Sequence, residues 1–481
     1  MVPEKERQIF ENQSGWEAVL RLAVPTVLGQ IILVIYNMAD TFFVGLTCND
    51  AMLTAVTVCM PAFMFLSAIS NLFGIGGASV ISRALGSRDG SRARQASAFS
   101  FWGCLLATMC YSLLCLALLD PFVDLLGGVH GEVHRHAKDY LTVTVICGGL
   151  TTSLSTLLSH LIRSEGRANL ASIGIVLGGV LNIGLDPLFM FRLLPPGREA
   201  LGAALATALS NLLSLLYFAV VIYRKRKKSL LSVRPTLAMF GSRIPADIFA
   251  AGIPACMMTL CENVSYAVLD KLMSLSGVAA QAGIGVAKKV NMLAHSIVRG
   301  IAQGALPLLA YNFAAGRYQR MRECFRVAQR IAIAAAALCM IVNLALAAPL
   351  IGLFIHSGSA SLDYGTVFLR ILCVGGPFSA AAYTVISFFQ AVGEGGKSFR
   401  LAVLRKGILD IPLMFVLHSL LPVFGIVAAT PITDILCSAL AVLSYRAYIR
   451  RITADPVPVR PLRVKGAPTA VYRPRRVYDR Q

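Results

Sequence analysis

Apolar stretches of roughly 20 to 28 residues, long enough to cross a hydrocarbon core of about 30 Å as helices, recur along the chain. They lie near 16–46, 52–80, 96–119, 139–162, 168–192, 200–223, 247–271, 280–310, 326–348, 365–391, 400–420 and 424–448. The runs are too long, too uniformly apolar and too poor in alternation for barrel strands. Backbone groups inside lipid must be satisfied within their own segment, so the pattern predicts an all-α, polytopic membrane protein with twelve transmembrane helices. The stretch before the first run, Met1 to Ser14, is charged, and the run itself is too long for the core of a cleavable signal; it reads as an anchor that stays.

Composition agrees with this. Of 481 residues 56% are hydrophobic and 14% charged, too little charge to clothe a water-facing surface of that size. The net charge of +20 is not a nucleic-acid stripe, because the basic residues fall in alternate connections between apolar runs. Arg83, Arg88, Arg92 and Arg94 form one group, Arg163 and Arg167 a second, and Arg224 to Lys228 a third. Arg317, Arg320, Arg322 and Arg326 follow, then Lys397, Arg400, Arg405 and Lys406. By the positive-inside rule both termini face the cytoplasm of a bacterial-type plasma (inner) membrane. No nucleic-acid partner is expected; lipid is, and the chain reads as a monomer. The 12 cysteines are scattered through apolar runs without paired spacing, so neither disulfides nor a metal cage are expected.

Short patterns return at an offset of about 223 to 230 residues. Pro25 with Tyr36 and Asp40 returns as Pro254 with Tyr266 and Asp270, and Gly77-Ala78 returns as Gly304-Ala305. Pro187-Leu188-Phe189 returns as Pro412-Leu413-Met414. Gly202, Ala206, Thr207 and Ser210 return as Gly425, Ala429, Thr430 and Thr433. An even number of spans per half keeps the orientation, so the halves are two six-helix bundles related by a pseudo-two-fold axis along the membrane normal. The expected division is 1–235 with its cytoplasmic linker, 236–452, and a basic disordered cytoplasmic tail at 453–481.

Asp40 and Asp186 are carboxylates within apolar helices, where a charge costs at least about 2.5 kcal/mol. Desolvation disfavours their ionised forms, which suits a switch driven by proton uptake. Tyr36 and Asn37 share a helix face with Asp40, as Asn182 does with Asp186. Pro187 removes a backbone hydrogen bond next to Asp186, so a break in the helix is expected there. In the second half Glu262, Tyr266 and Asp270 follow one another on one helix face, a second candidate site or a set of salt bridges. Lys288, Lys289 and Arg299 are candidate partners, and Asp410 and Asp434 are candidate members of the same cluster. His130, Glu132, His134 and His136 fall in a connection expected to be a solvated loop, not a metal site.

Several of these residues resemble the multidrug and toxic compound extrusion (MATE) family, over nearly the whole chain from Arg21 to Arg451. The resemblance rests on Pro25 to Gln30 with Tyr36 to Gly45, on Ile81 to Gly86, and on Gly178 to Phe189. In the second half it rests on Gly304 to Gly316, on Phe389 to Gly393 and on Leu409 to Phe415. Asn182 to Pro187, with the first-helix aspartate, is similar to the DinF-like branch. Two positions depart: Arg167-Ala168-Asn169 after Gly166, where a polar residue and proline are expected, and Glu262, where the NorM-like branch keeps a glutamate. The resemblance implies that Asp40, Asn182, Asp186 and Thr207 form a cation or proton site. It also implies a secondary antiporter that exports cationic or amphipathic organic compounds for H+ or Na+ by alternating access. The oxygen-rich set does not choose between the two ions. The alternative within the same superfamily is a flippase for lipid-linked or polysaccharide precursors, which would need a basic cavity. No hydrolase, metalloprotease or nucleotide-binding motif is found, so no enzyme, no cofactor and no direct use of ATP are expected.

Overall fold

The computed structural model describes residues 4–47, 49–126, 131–241, 243–355 and 360–454. His130 and the expected tail from residue 455 onward lie outside the described residues. The first half runs α1 (Glu4–Glu11), α2 (Gly15–Gly45), α3 (Asp50–Gly86), α4 (Gly90–Ala117), α5 (Leu119–Leu126), α6 (Glu132–Leu141), α7 (Gly149–Ser164), α8 (Ala168–Leu188) and α9 (Glu199–Lys225). The second runs α10 (Ile244–Ser274), α11 (Val278–Ala314), α12 (Tyr318–Ala345), α13 (Ala347–Gly352), α14 (Ala360–Val374), α15 (Gly376–Val392), α16 (Gly395–Val403), α17 (Asp410–Leu420) and α18 (Phe424–Ala454).

Eight of these helices are long and apolar enough to cross a bilayer, and two bent pairs, α6 with α7 and α14 with α15, bring the number to ten. The remaining two spans are α11 and the pair α16 and α17. Lysines and arginines lower their hydropathy: Lys288, Lys289 and Arg299 in the one, Lys397, Arg400, Arg405 and Lys406 in the other. All twelve apolar runs are therefore helical spans, several reaching beyond the expected limits, as 52–80 does in Asp50–Gly86.

The repeat is present in the backbone. α2 and α10 each have 31 residues, α3 and α11 each have 37, and α4 and α12 each have 28. The fourth span bends in both halves, by 47° at a π-helical stretch before Gly149 and by 45° before Gly376. The break expected at Pro187 takes the form of a π-helical turn, Phe189–Leu193, that follows α8 directly. In the second half a π-helical segment, Leu404–Leu409, separates α16 from α17 and lies before Pro412, not after it.

Large apolar side chains point outward, among them Leu106, Leu113 and Leu114 of α4 and Leu338 and Ile341 of α12. Small hydroxyl residues such as Thr152, Ser153, Ser155 and Ser159 of α7 are buried. That arrangement suits a lipid solvent, in which small and polar residues hold helices together.

Three apolar clusters show where the halves meet. One draws only on residues between Val44 and Ala204, and a second only on residues between Leu269 and Ala429. The third spans both halves, from Ile9 to Ile452, at the end of the bundle that carries the N-terminus. The halves are thus fused at that end and have separate cores at the other. At the fused end α2 crosses α11 closely: a Cβ at Gly300 would stand 2.6 Å from the Val27 Cα, and one at Gly304 2.7 Å from the Ala23 Cα. Only glycine admits such an approach.

The charged segment before the first span is the short helix α1, which clasps both halves. Phe10 is fully buried and stacks on Tyr311 with ring centroids 4.7 Å apart. The Tyr311 hydroxyl donates to Glu11 Oε1 at 2.7 Å, and Arg320 donates to the Phe10 carbonyl at 2.7 Å and to the Gln13 carbonyl at 2.6 Å. On the first-half side, Arg167 Nε donates to Glu6 Oε1 at 3.1 Å. An Arg92–Asp247 ion pair and a Ser79 bond to the Gln390 carbonyl at 2.6 Å add further ties between the halves.

Two expectations need correction. The connection after Pro121 is helical in α5 and α6, where His134 pairs with Asp120 at 3.0 Å and His136 is buried. Arg163, Arg405 and Lys406, assigned to the basic connections between spans, are each 2% exposed and lie inside the bundle.

Candidate functional site

Asp40, Asn182, Asp186 and Thr207 come together in the interior of the first half, contributed by α2, α8 and α9, and all four are buried. Asn182 Nδ2 donates to Thr207 Oγ1 at 3.2 Å and to Asp186 Oδ1 at 3.4 Å. The Asp40 carboxyl lies beside Asp186 and the Thr207 hydroxyl. Tyr36 is packed close to both carboxyls, whereas the Asn37 amide bonds back to the Leu33 carbonyl at 2.6 Å. Tyr140, on α6, is also buried in the first half, near enough to feel the charge of both carboxyls, and was not anticipated. A lone tyrosine in an amphipathic stretch carries no signal by itself.

Two features define the chemistry of this set. No ion pair joins Asp40 or Asp186 to a cation among the described residues. Three buried oxygens have no hydrogen-bond donor there: Asp40 Oδ1, Asp186 Oδ2 and Asn182 Oδ1. Unsatisfied acceptors in a buried acidic cradle favour an added cation, a proton or a small hard ion with oxygen ligands. The residues present therefore fit H+ or Na+.

The second half differs. Thr430, the counterpart of Thr207, bonds there to Asp410, and Lys406 precedes Asp410 by four residues as Asn182 precedes Asp186, one residue out of step with the repeat that relates Pro187 to Pro412. Lys406 Nζ stands 3.0 Å from Asp410 Oδ2; Asp410 also accepts from Ser265 at 2.6 Å and from Thr430 at 3.2 Å. Asp434 is paired with Arg405 at 2.7 Å. Glu262 accepts from Arg299 at 2.8 Å, and Asp270 is bound by Lys288. Tyr266 lies beneath both Lys288 and Lys406, 5.3 and 5.8 Å from ring centroid to ammonium. Each acid of the second-half cluster thus has its own cation. Arg405 and Lys406 read in the sequence as part of a basic connection; only the fold reveals their acids.

Between the halves lies a cavity of about 300 Å³. Gln30, Met38, Met60 and Phe63 line it from the first half, and Met258, Glu262, Lys289, Met292 and Arg299 from the second. Methionine and aromatic surfaces of this kind adapt to ligands of different shape. Phe42, which shares α2 with Met38, faces outward at 58% exposure and does not line the cavity.

Comparison with known proteins agrees with this architecture. The MatE family matches residues 25–188 and again residues 254–416, one match in each half. The multidrug export protein MepA of Staphylococcus saprophyticus is 30% identical over 456 residues, covering 94% of this chain and 98% of its own. MepA of Staphylococcus aureus strain MRSA252 is 28% identical over 453 residues, with the same coverage. Among solved structures, a MATE transporter in complex with MaL6 aligns with a TM-score of 0.86 at 25% identity, over 94% of this chain and 99% of that one. An outward-facing multidrug resistance transporter of the MOP superfamily aligns equally well, with a TM-score of 0.86 at 24% identity, over 94% of this chain and 100% of that one. With both halves matched and the twelve-helix fold shared, this chain belongs to the MATE family of membrane transporters.

Proposed function

We propose that this multidrug efflux transporter is a secondary antiporter that exports cationic or amphipathic organic compounds in exchange for inward H+ or Na+. The lobes, residues 1–235 and 236–452, rock against one another about the central cavity. The end bearing the N-terminus and the basic connections faces the cytoplasm, so the fused cluster and α1 close the inner side. The ion binds Asp40, Asp186, Asn182 and Thr207 from outside and favours release of the exported compound; the ion then leaves inside as the carrier resets. Such coupling needs only that ion and cargo favour different conformations by a few kcal/mol.

The observation that carries this reading is the contrast between the halves. The first half presents buried carboxyls and three oxygens without donors, while in the second half the buried Asp410 is paired with the ammonium of Lys406. The flippase alternative loses support, since two of the three cations a pyrophosphate cargo would use, Lys288 and Arg299, are taken by Asp270 and Glu262.

The deciding experiment is efflux from proteoliposomes under an imposed pH gradient or an imposed Na+ gradient, with Asp40→Asn and Asp186→Asn beside the parent. Coupled efflux is expected to fall by an order of magnitude or more in each variant. If both export like the parent under either gradient, the first-half site is not the coupling site. If Glu262→Gln alone abolishes export, the site lies in the other half.

A further inference from the structure

The charged groups that line the central cavity do not cancel. Its described lining holds one acid, Glu262, and two basic side chains, Lys289 and Arg299. Glu262 and Arg299 neutralise each other at 2.8 Å, and the neighbouring Lys288 is bound to Asp270. Lys289 is left without an acidic partner among the described residues, and the first-half wall adds amides and hydroxyls but no charge. Asp40 and Asp186 are not among the lining residues.

Lys289 lies about 16 Å along α11 from Val278, at about 1.5 Å per residue. It faces the cavity, not the lipid. A cation held inside a membrane protein without a counter-charge is costly, and such residues persist where a ligand supplies the missing charge. Around it the cavity offers methionine and aromatic surface, including Met258, Met292 and Tyr266.

We infer that Lys289 is the anchor for an anionic group on the exported compound. The preferred cargo is an amphiphile with a single negative group, such as a carboxylate, beside an apolar or aromatic body; zwitterions qualify, because a cation elsewhere can rest against the aromatic rings. One free ammonium matches one such group, whereas a pyrophosphate would need the additional cations already engaged. This inference rests on the export reading, since it names the cargo of the same cavity.

The test is a binding titration on the purified full-length protein in lipid nanodiscs, followed by fluorescence anisotropy. The probes are an aminocoumarin carboxylate, its methyl ester and its trimethylammonium analogue, against the parent, Lys289→Gln and Lys289→Arg. The parent is expected to bind the carboxylate about tenfold or more tighter than the ester, the scale of one charge-assisted hydrogen bond. Lys289→Gln should erase that preference without weakening the ester, and Lys289→Arg should keep it. The inference is overturned if Lys289→Gln retains the carboxylate preference, or if it weakens all three probes alike. Binding of the ester by the parent tests the cavity separately: an ester that binds beside a carboxylate that gains nothing leaves the export reading standing and removes this one. If none of the three probes binds, both fall.

Discussion

The ammonium of Lys406 stands 3.0 Å from Asp410, four residues on, where in the other half the amide of Asn182 stands 3.4 Å from Asp186, so one lobe pairs its buried aspartate with a tethered cation and the other with a neutral group. Asn182→Lys should therefore install a permanent cation beside Asp186. The variant is expected to fold, to lose coupled efflux by an order of magnitude or more, and to show no thermal stabilisation by added Na+ or by acidification. The converse change, Lys406→Asn, strands Asp410 and should lower stability by about 3–5 kcal/mol, the usual result of removing one partner of a buried pair. Melting curves in detergent compare the two variants directly.

Glu262 and Arg299 read as a salt bridge on the cavity wall rather than a second ion site. Either single change, Glu262→Gln or Arg299→Met, leaves a part-buried charge unpaired and should cost about 2 kcal/mol, less than a fully buried pair because Arg299 reaches the cavity. The double variant should recover most of that loss. A double-mutant cycle with no coupling between the two positions would show that the pair does not act as a unit.

The twelve spans were legible in the sequence because lipid demands long apolar runs, and even the helices crowded with lysine and arginine kept that length. The first-half cluster of buried polar residues was legible because a carboxylate is rare in such a run, and Asp40 and Asp186 stood out on their own helices. In the second half the salt bridges Glu262–Arg299 and Asp270–Lys288 join acids and bases that the sequence already put forward as partners, whereas the Arg405–Asp434 pair was not legible, because it reaches across to α18. A basic residue near the end of a span has the same sequence signature whether it faces water or a buried acid. α1 was invisible for a related reason, since its charges and Phe10 acquire meaning only against Tyr311, Arg320 and Arg167.

Gly300 and Gly304 set how closely α11 approaches α2 on the closed side. Gly304→Leu should force these helices apart and bias the transporter toward the state open at that end. Spin labels on the ends of α3 and α11 should then report longer distances between the halves. Unchanged distances in a folded Gly304→Leu variant would show that the crossing does not govern closure.

Glu11 gives the closure at α1 a defined pH dependence. Burial raises the affinity of its carboxyl for a proton, but the hydrogen bond from Tyr311 and the charges of Arg7 and Arg317 outweigh that and hold it below the ordinary value of 4.5. A carboxyl lowered in the clasped state contributes its stabilisation above the ordinary value, and loses it as the pH falls through the lowered one. The clasp should thus stay intact at pH 6 and 5 and loosen only in more acidic solution, seen as faster amide exchange in residues 4–11. Glu11→Gln should shift that loosening to all pH values and flatten the profile. Arg320→Ala, which removes donors to the Phe10 and Gln13 carbonyls, should weaken the clasp by about 1–3 kcal/mol without changing its pH dependence. Exchange in α1 that is already fast in the parent at neutral pH would mean that this helix does not hold the two halves together.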